Sequence, residues 1–204
     1  MFIQVIRGKV ADAAGLHAAM DRWGKELPPG ATGFLGYTAG ITDDGTFIAT
    51  VRFASAEAAR RNSERPEQGA WWAETAKCFD GQPTFLDCPQ VMQWLQGGAD
   101  DAGFVQVMEG QTRDANRLRK LMQRYRTEIR KLLPEIIGAT VALRGDGAYV
   151  ETLYFTCEPT AHEHIEPPAD LADLICEEQE LMGDVSYLDR YRRPPAGPGS
   201  CKRR

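Results

Sequence analysis

The chain is written twice. Phe2-Ile3-Gln4-Val5 recurs as Phe104-Val105-Gln106-Val107, and the same offset of 102 residues then holds without slippage. Asp12-Ala13 returns as Asp114-Ala115, and Leu16, Met20, Arg22 and Glu26 return as Leu118, Met122, Arg124 and Glu128. Gly36 and Thr38 match Gly138 and Thr140, Asp44-Gly45 matches Asp146-Gly147, and Leu86-Asp87 matches Leu188-Asp189. Many unlike pairs keep their character, such as Trp23/Tyr125, Phe47/Tyr149 and Phe85/Tyr187. One register from residue 2 to residue 88 marks a duplication of a single folding unit.

Each copy reads in the same order. Residues 2–10 alternate and are rich in β-branched types, which predicts a strand. Asp12 is placed to cap a helix whose apolar residues Leu16, Met20, Trp23 and Leu27 recur at spacings of three and four. Pro28-Pro29-Gly30 stops that helix. Residues 33–42 and 46–54 form a hairpin around Asp43-Asp44-Gly45, since glycine accepts the positive φ of a tight turn. Ser55 caps a short helical stretch, a second helix covers 67–79 and ends at Gly81, and 83–94 is the last strand. The sum is β-α-β-β-α-β.

The expected organisation is a ferredoxin-like repeat over 1–96, a linker at 97–103, a second repeat over 104–191, and a disordered basic tail at 192–204. Strand 1 is apolar on both sides, with Phe2 and Ile6 on one and Ile3 and Val5 on the other. Two helices cover one face of such a sheet and leave the second face needing a partner. The fold class expected is therefore α+β, with two antiparallel sheets packed face to face as one pseudo-twofold body. A monomer containing an internal pseudo-dimer, or a homodimer of it, satisfies that demand.

Charge and composition exclude several function classes. A net charge of −5 gives no general attraction to nucleic acid or anionic lipid. No apolar run reaches membrane-spanning length, and the N-terminus opens directly on a strand, so the expectation is a cytoplasmic protein with no membrane partner. The five cysteines form no CxxC and are read as reduced thiols. His162 and His164 lack further ligands, so no metal is expected. There is no phosphate-binding glycine loop and no nucleophile-elbow serine.

The order of elements, the copy length and a few residue types resemble the dimeric α+β barrel superfamily, and within it the antibiotic biosynthesis monooxygenase-like group. The resemblance spans nearly the whole chain. It implies a cofactor-independent oxygenase or isomerase acting on a small aromatic or polyketide-like molecule. It also implies an Asn and a Trp near the second helix that hold the substrate, and Asn62 and Trp72 are the matching positions, with Trp71 as the alternate. The haem-degrading relatives use an axial histidine here, but residues 73–80 contain none, so no cofactor is expected.

The copies differ most at 60–72 against 162–174. Trp72 shares a helical face with Ala76 and Phe79, so it points between helix and sheet, as core or as the wall of a pocket. Trp71 falls on the opposite face and is expected at the surface, at a contact or over a cleft. Gln4 and Gln106 repeat at one strand position and either bond locally or orient a ligand. Arg52, mid-strand beside Ile48 and Thr50, either pairs with a carboxylate or holds a substrate oxyanion. Two functions follow. The first is catalysis with Asn62, Trp72 and Arg52, with Gln4, Trp71 and Gln106 as ligand contacts. The second is a non-catalytic ligand-binding or protein-interaction module, with Trp71 and residues 60–65 as its recognition patch.

Overall fold

A computed structural model describes residues 1–99, 101–163, 169–182 and 186–187. The chain divides into two compact units, Met1–Gln90 and Val91–Arg204.

The first unit runs β1 (Phe2–Val10), α1 (Ala13–Glu26), β2 (Phe34–Ile41), β3 (Thr46–Phe53), α2 (Ala56–Ser63), α3 (Pro66–Thr75) and β4 (Phe79–Cys88). Its antiparallel sheet has the order β2-β3-β1-β4. The helix starts follow from side-chain capping. Asp12 accepts from the Gly15 amide at 2.9 Å and Ser55 accepts from the Ala58 amide at 3.1 Å, each satisfying a donor the helix cannot. Pro66 opens α3 at a position where a missing N–H costs nothing. The helices cover the sheet face that carries Phe47, Ala49 and Phe53, where Leu16 from α1 and Ala58 from α2 pack. The other face carries Ile3, Val5, Ile48, Thr50 and Arg52, all buried. Both faces of β1 are thus apolar and buried at its start.

The second unit comprises β5 (Gln90–Leu95), β6 (Phe104–Gln111), α4 (Ala115–Arg124), α5 (Arg126–Leu132), β7 (Ile136–Leu143), β8 (Ala148–Phe155), α6 (Glu158–Glu163), α7 (Ala172–Leu181) and β9 (Ser186–Tyr187). Strands β7-β8-β6-β9 repeat the order of the first sheet, and β5 adds a fifth strand beside β7. Asp114 caps α4 through the Arg117 amide at 2.9 Å, as Asp12 does in the first copy. The core is larger here, with Leu118, Leu121 and Met122 of α4 packed against Val141, Leu143, Tyr149 and Leu174.

The two copies share a bulge. Pairing shifts between Phe34 and Gly36 in β2, and between Ile136 and Gly138 in β7. Gly36 has φ +129°, and a Cβ there would lie 2.5 Å from the Arg52 guanidinium. Glycine is required at that position by both backbone and space.

Three local expectations change. Gly81 does not end a helix: α3 stops at Thr75, and Gly81, with φ +81°, sits inside β4 where pairing with β1 slips between Arg7 and Lys9. The segment 83–94 is not one strand. Pro89 supplies no N–H for a ladder, pairing stops at Cys88, and the chain after it belongs to the second sheet. Cys157, read as a reduced thiol, is disulfide-bonded, while Cys78, Cys88 and Cys176 are free. No helix among the described residues is long and apolar enough to cross a membrane. His164 and the tail 192–204 lie outside the described residues.

Candidate functional site

A cavity of about 210 Å³ lies in the first unit between α1, α2, α3 and the sheet. For scale, an engineered apolar cavity of about 150 Å³ accepts benzene. Its walls are aromatic. Trp23 meets Tyr37 edge-on at 5.5 Å and Trp71 at 6.4 Å, and Trp72 meets Phe85 edge-on at 4.9 Å. Ser63, Gly69 and Phe85 are exposed members of the lining and mark its mouth, Phe85 with 45% of its surface free.

Four of the six site residues read from sequence line this cavity: Gln4, Asn62, Trp71 and Trp72. Asn62 comes from the last turn of α2 and is only 7% exposed. Its Oδ1 accepts from Arg65 Nη1 at 3.0 Å. Among the described residues nothing accepts from its Nδ2, which leaves an amide donor at the cavity wall. Trp72 is half-buried, and its indole N–H likewise has no acceptor among the described residues. Gln4 is fixed differently: its Nε2 donates to Asp87 Oδ1 at 2.9 Å, across the β1–β4 pair.

Trp72 lies where its helical face points, between helix and sheet, whereas Trp71 is more deeply buried than its polar face suggests. Trp71 is the buried one, 8% exposed, and donates from Nε1 to the Ala19 carbonyl at 2.8 Å. The reason is α1, which lies across α3 and covers the face that α3 alone would leave to solvent; Trp23 and Leu27 complete the contact. Trp72 lies over the sheet with Phe79 and Phe85 and takes the position between helix and sheet.

Arg52 is not part of this cavity. Strand alternation places it on the opposite face from Phe47, Ala49, Val51 and Phe53. It is 5% exposed and donates to Thr38 Oγ1 at 3.1 Å. Gln106 belongs to the second unit, paired with Leu153 across β6 and β8. Sequence reasoning missed Trp23, Gln68 and Thr75 as lining residues. Trp23 Nε1 donates to Gln68 Oε1 at 2.8 Å, which ties α1 to α3, and Thr75 Oγ1 donates to the Trp71 carbonyl at 2.8 Å. The only advance signal was that Trp23 and Trp71 both carry an N–H that must find a partner once buried.

The cavity lining contains no Asp, Glu, His, Lys or Arg. It offers neutral donors and aromatic faces, with no group suited to take a proton near neutral pH. The second copy departs from this. Where Ala49 lines the cavity, the matching residue is Glu151, 4% exposed and flanked across the sheet by Met108 and Val141. Burial, with Glu178 close by, pushes the Glu151 carboxyl up to about 8, and burial pushes Glu178 up to about 7.

No protein-family model and no curated protein matches the chain. Solved structures do. An inferred monooxygenase of Lactobacillus acidophilus NCFM superposes with a TM-score of 0.71 at 11% identity, over 91% of this chain and 90% of its own. One from Fusobacterium nucleatum gives 0.69 at 10% identity, over 91% and 89%. An anthrone oxidase-like protein gives 0.57 at 8% identity, over 91% and 89%. At such identities the likeness concerns the fold, and it covers both copies at once. The chain has a tandem ferredoxin-like α+β fold, shared over both copies with these solved structures.

Proposed function

We propose that the first unit binds a small, flat, hydroxylated aromatic molecule in the Asn62–Trp72 cavity and oxidises it with O2 without a bound cofactor. The observation that carries this reading is the lining itself: an aromatic cage whose donors without an acceptor among the described residues include Asn62 Nδ2 and the Trp72 indole N–H, with Gln68 Nε2 beside them. Such donors hold a phenolate or enolate oxygen, and the rings exclude water around it. A cavity without a base suits a substrate that is acidic enough to arrive as its own enolate. For an anthrone, the enolate carbon adds O2 and the peroxide takes up a proton. Loss of water then converts the CH2 to C=O, so one O2 yields one carbonyl and one H2O. The names of the structural neighbours point the same way.

Oxygen uptake with a hydroxylated anthrone tests the reading. The expected result is stoichiometric O2 consumption that Asn62→Ala slows about tenfold to a hundredfold. Uptake no faster than without protein removes the catalytic half.

The alternative is a non-catalytic ligand-binding or protein-interaction module. Its patch loses the anchor assumed for it, because Trp71 is buried and Arg60 is paired with Glu57 at 2.8 Å and Glu64 at 2.5 Å on its own helix. Ligand binding without turnover is the form of this alternative that the cavity supports.

A further inference from the structure

We propose that the second unit carries a separate binding site for a small carboxylate with a flat apolar body, between β5 and the α4–α5 pair. A cavity of about 220 Å³ lies there, with Met92 and Trp94 from β5, Arg119, Met122 and Gln123 from α4, and Arg126 from α5. It shares no residue with the aromatic cavity of the first unit.

The charge pattern of α4 is the first argument. Arg117 pairs with Glu180 at 3.3 Å, and Arg124 pairs with Glu177. Arg119, half-buried on the same helix, has no carboxylate within ion-pair distance among the described residues. Among the described residues Arg126 reaches only a carbonyl, donating from Nη2 to Leu95 O at 3.3 Å where β5 ends and Leu95 turns to φ +58°. Two guanidiniums therefore line one cavity with no acid among the described residues to balance them, in a chain whose net charge is −5. Guanidinium forks match the two oxygens of a carboxylate.

The duplication is the second argument. The positions of Arg119 and Arg126 are His17 and Gly24 in the first copy, so the fold itself does not require a basic pair there. The floor is the third. Met92, Met122 and Trp94 are buried apolar surface suited to a ring, and thioethers adapt to a guest. The Trp94 indole N–H is sealed in this wall without an acceptor among the described residues. A buried donor left unpaired is destabilising, so a ligand oxygen that reached it after a methionine shift would bind the more tightly.

Titration of the full chain with benzoate, followed through the indole ¹⁵N–¹H signals, tests the site. Benzamide, inorganic phosphate and two variants serve as comparisons. The expected result is a saturable shift of the Trp94 signal at about millimolar benzoate, the range open to so small a ligand. Benzamide lacks the charge and phosphate lacks the ring, so neither should saturate. Arg119→Gln, on a half-exposed position that folding tolerates, should weaken benzoate about tenfold, and Asn62→Ala should leave it unchanged. The proposal is overturned by no saturation, by benzamide or phosphate binding as well as benzoate, or by benzoate binding that Asn62→Ala weakens and Arg119→Gln does not. None of these outcomes bears on oxygen uptake in the first unit.

Discussion

Arg65 donates from Nη1 to Asn62 Oδ1 at 3.0 Å, and that contact decides which end of the Asn62 amide is left for the cavity. A guanidinium can only donate, so the oxygen must face it and the NH2 group must be the free end. Asn62→Asp keeps the acceptor for Arg65 but has no donor to offer. Binding of a phenolic ligand should fall about tenfold or more in Asn62→Asp, with the melting temperature nearly preserved. Calorimetric titration beside a thermal melt separates the two effects.

Arg65 also holds the chain end of α1, donating to the Leu27 carbonyl at 3.1 Å. Removing the guanidinium leaves Oδ1 of the buried Asn62 without its donor, while the Leu27 carbonyl keeps the Gly30 amide at 3.2 Å. Arg65→Met should cost about 1–3 kcal/mol of stability, measured by urea denaturation. It should also weaken ligand binding, because the amide is then free to turn over.

Trp71 and Trp72 should separate stability from binding. Trp71→Phe loses the bond to the Ala19 carbonyl and fills less of the α1–α3 contact, so it should destabilise by about 1–3 kcal/mol. Trp72→Phe removes a donor from the cavity wall and touches no internal hydrogen bond, so it should cost affinity with little change in the melt. Equal effects of the two changes on ligand affinity would contradict this division.

Stability should fall as pH rises through the neutral range. The folded chain holds protons on Glu151 and Glu178 up to about 8 and about 7, whereas an ordinary glutamate releases its proton near 4.5. Folding therefore takes up protons between about pH 5 and pH 8, and linkage makes the native state less stable as pH increases across that window. Below it both states are protonated and the penalty vanishes. Glu151→Gln should raise the melting temperature at pH 8, change it little at pH 4.5, and flatten the slope between. Melts at three pH values check this, and a flat wild-type profile contradicts it.

The duplication, the succession of elements along most of each copy and the capping residues Asp12, Ser55 and Asp114 were legible because each depends on local pattern. Alternation gave β1 and β3 two faces each, but setting Gln4 and Arg52 on opposite faces needs the register that pairs Gln4 with Val51 and Arg52 with Ile3. Nor does alternation say which face the helices cover, so a shared role for the two could be entertained until the sheet was seen. The choice among surface, contact and cleft stayed open for Trp71 because its burial depends on α1, some fifty residues away, and helix periodicity sees only neighbours on the same helix. Gly81 reads alike as a helix stop or a bulge, since both need positive φ. Pro89 marked a break, but nothing local tells a strand to change sheets. Gathering Gln4, Asn62 and Trp72 at one cavity required the tertiary contacts of three elements, β1, α2 and α3.

The central claim is that the first unit holds a flat aromatic ligand through Asn62 and Trp72. Quenching of tryptophan fluorescence by a hydroxylated anthrone under nitrogen tests it most directly, with wild type, Asn62→Ala and Trp72→Phe measured side by side. Saturable quenching at micromolar ligand in the wild type, weakened about tenfold in both variants, is the predicted result. Quenching that does not saturate, or that both variants retain unchanged, would contradict it.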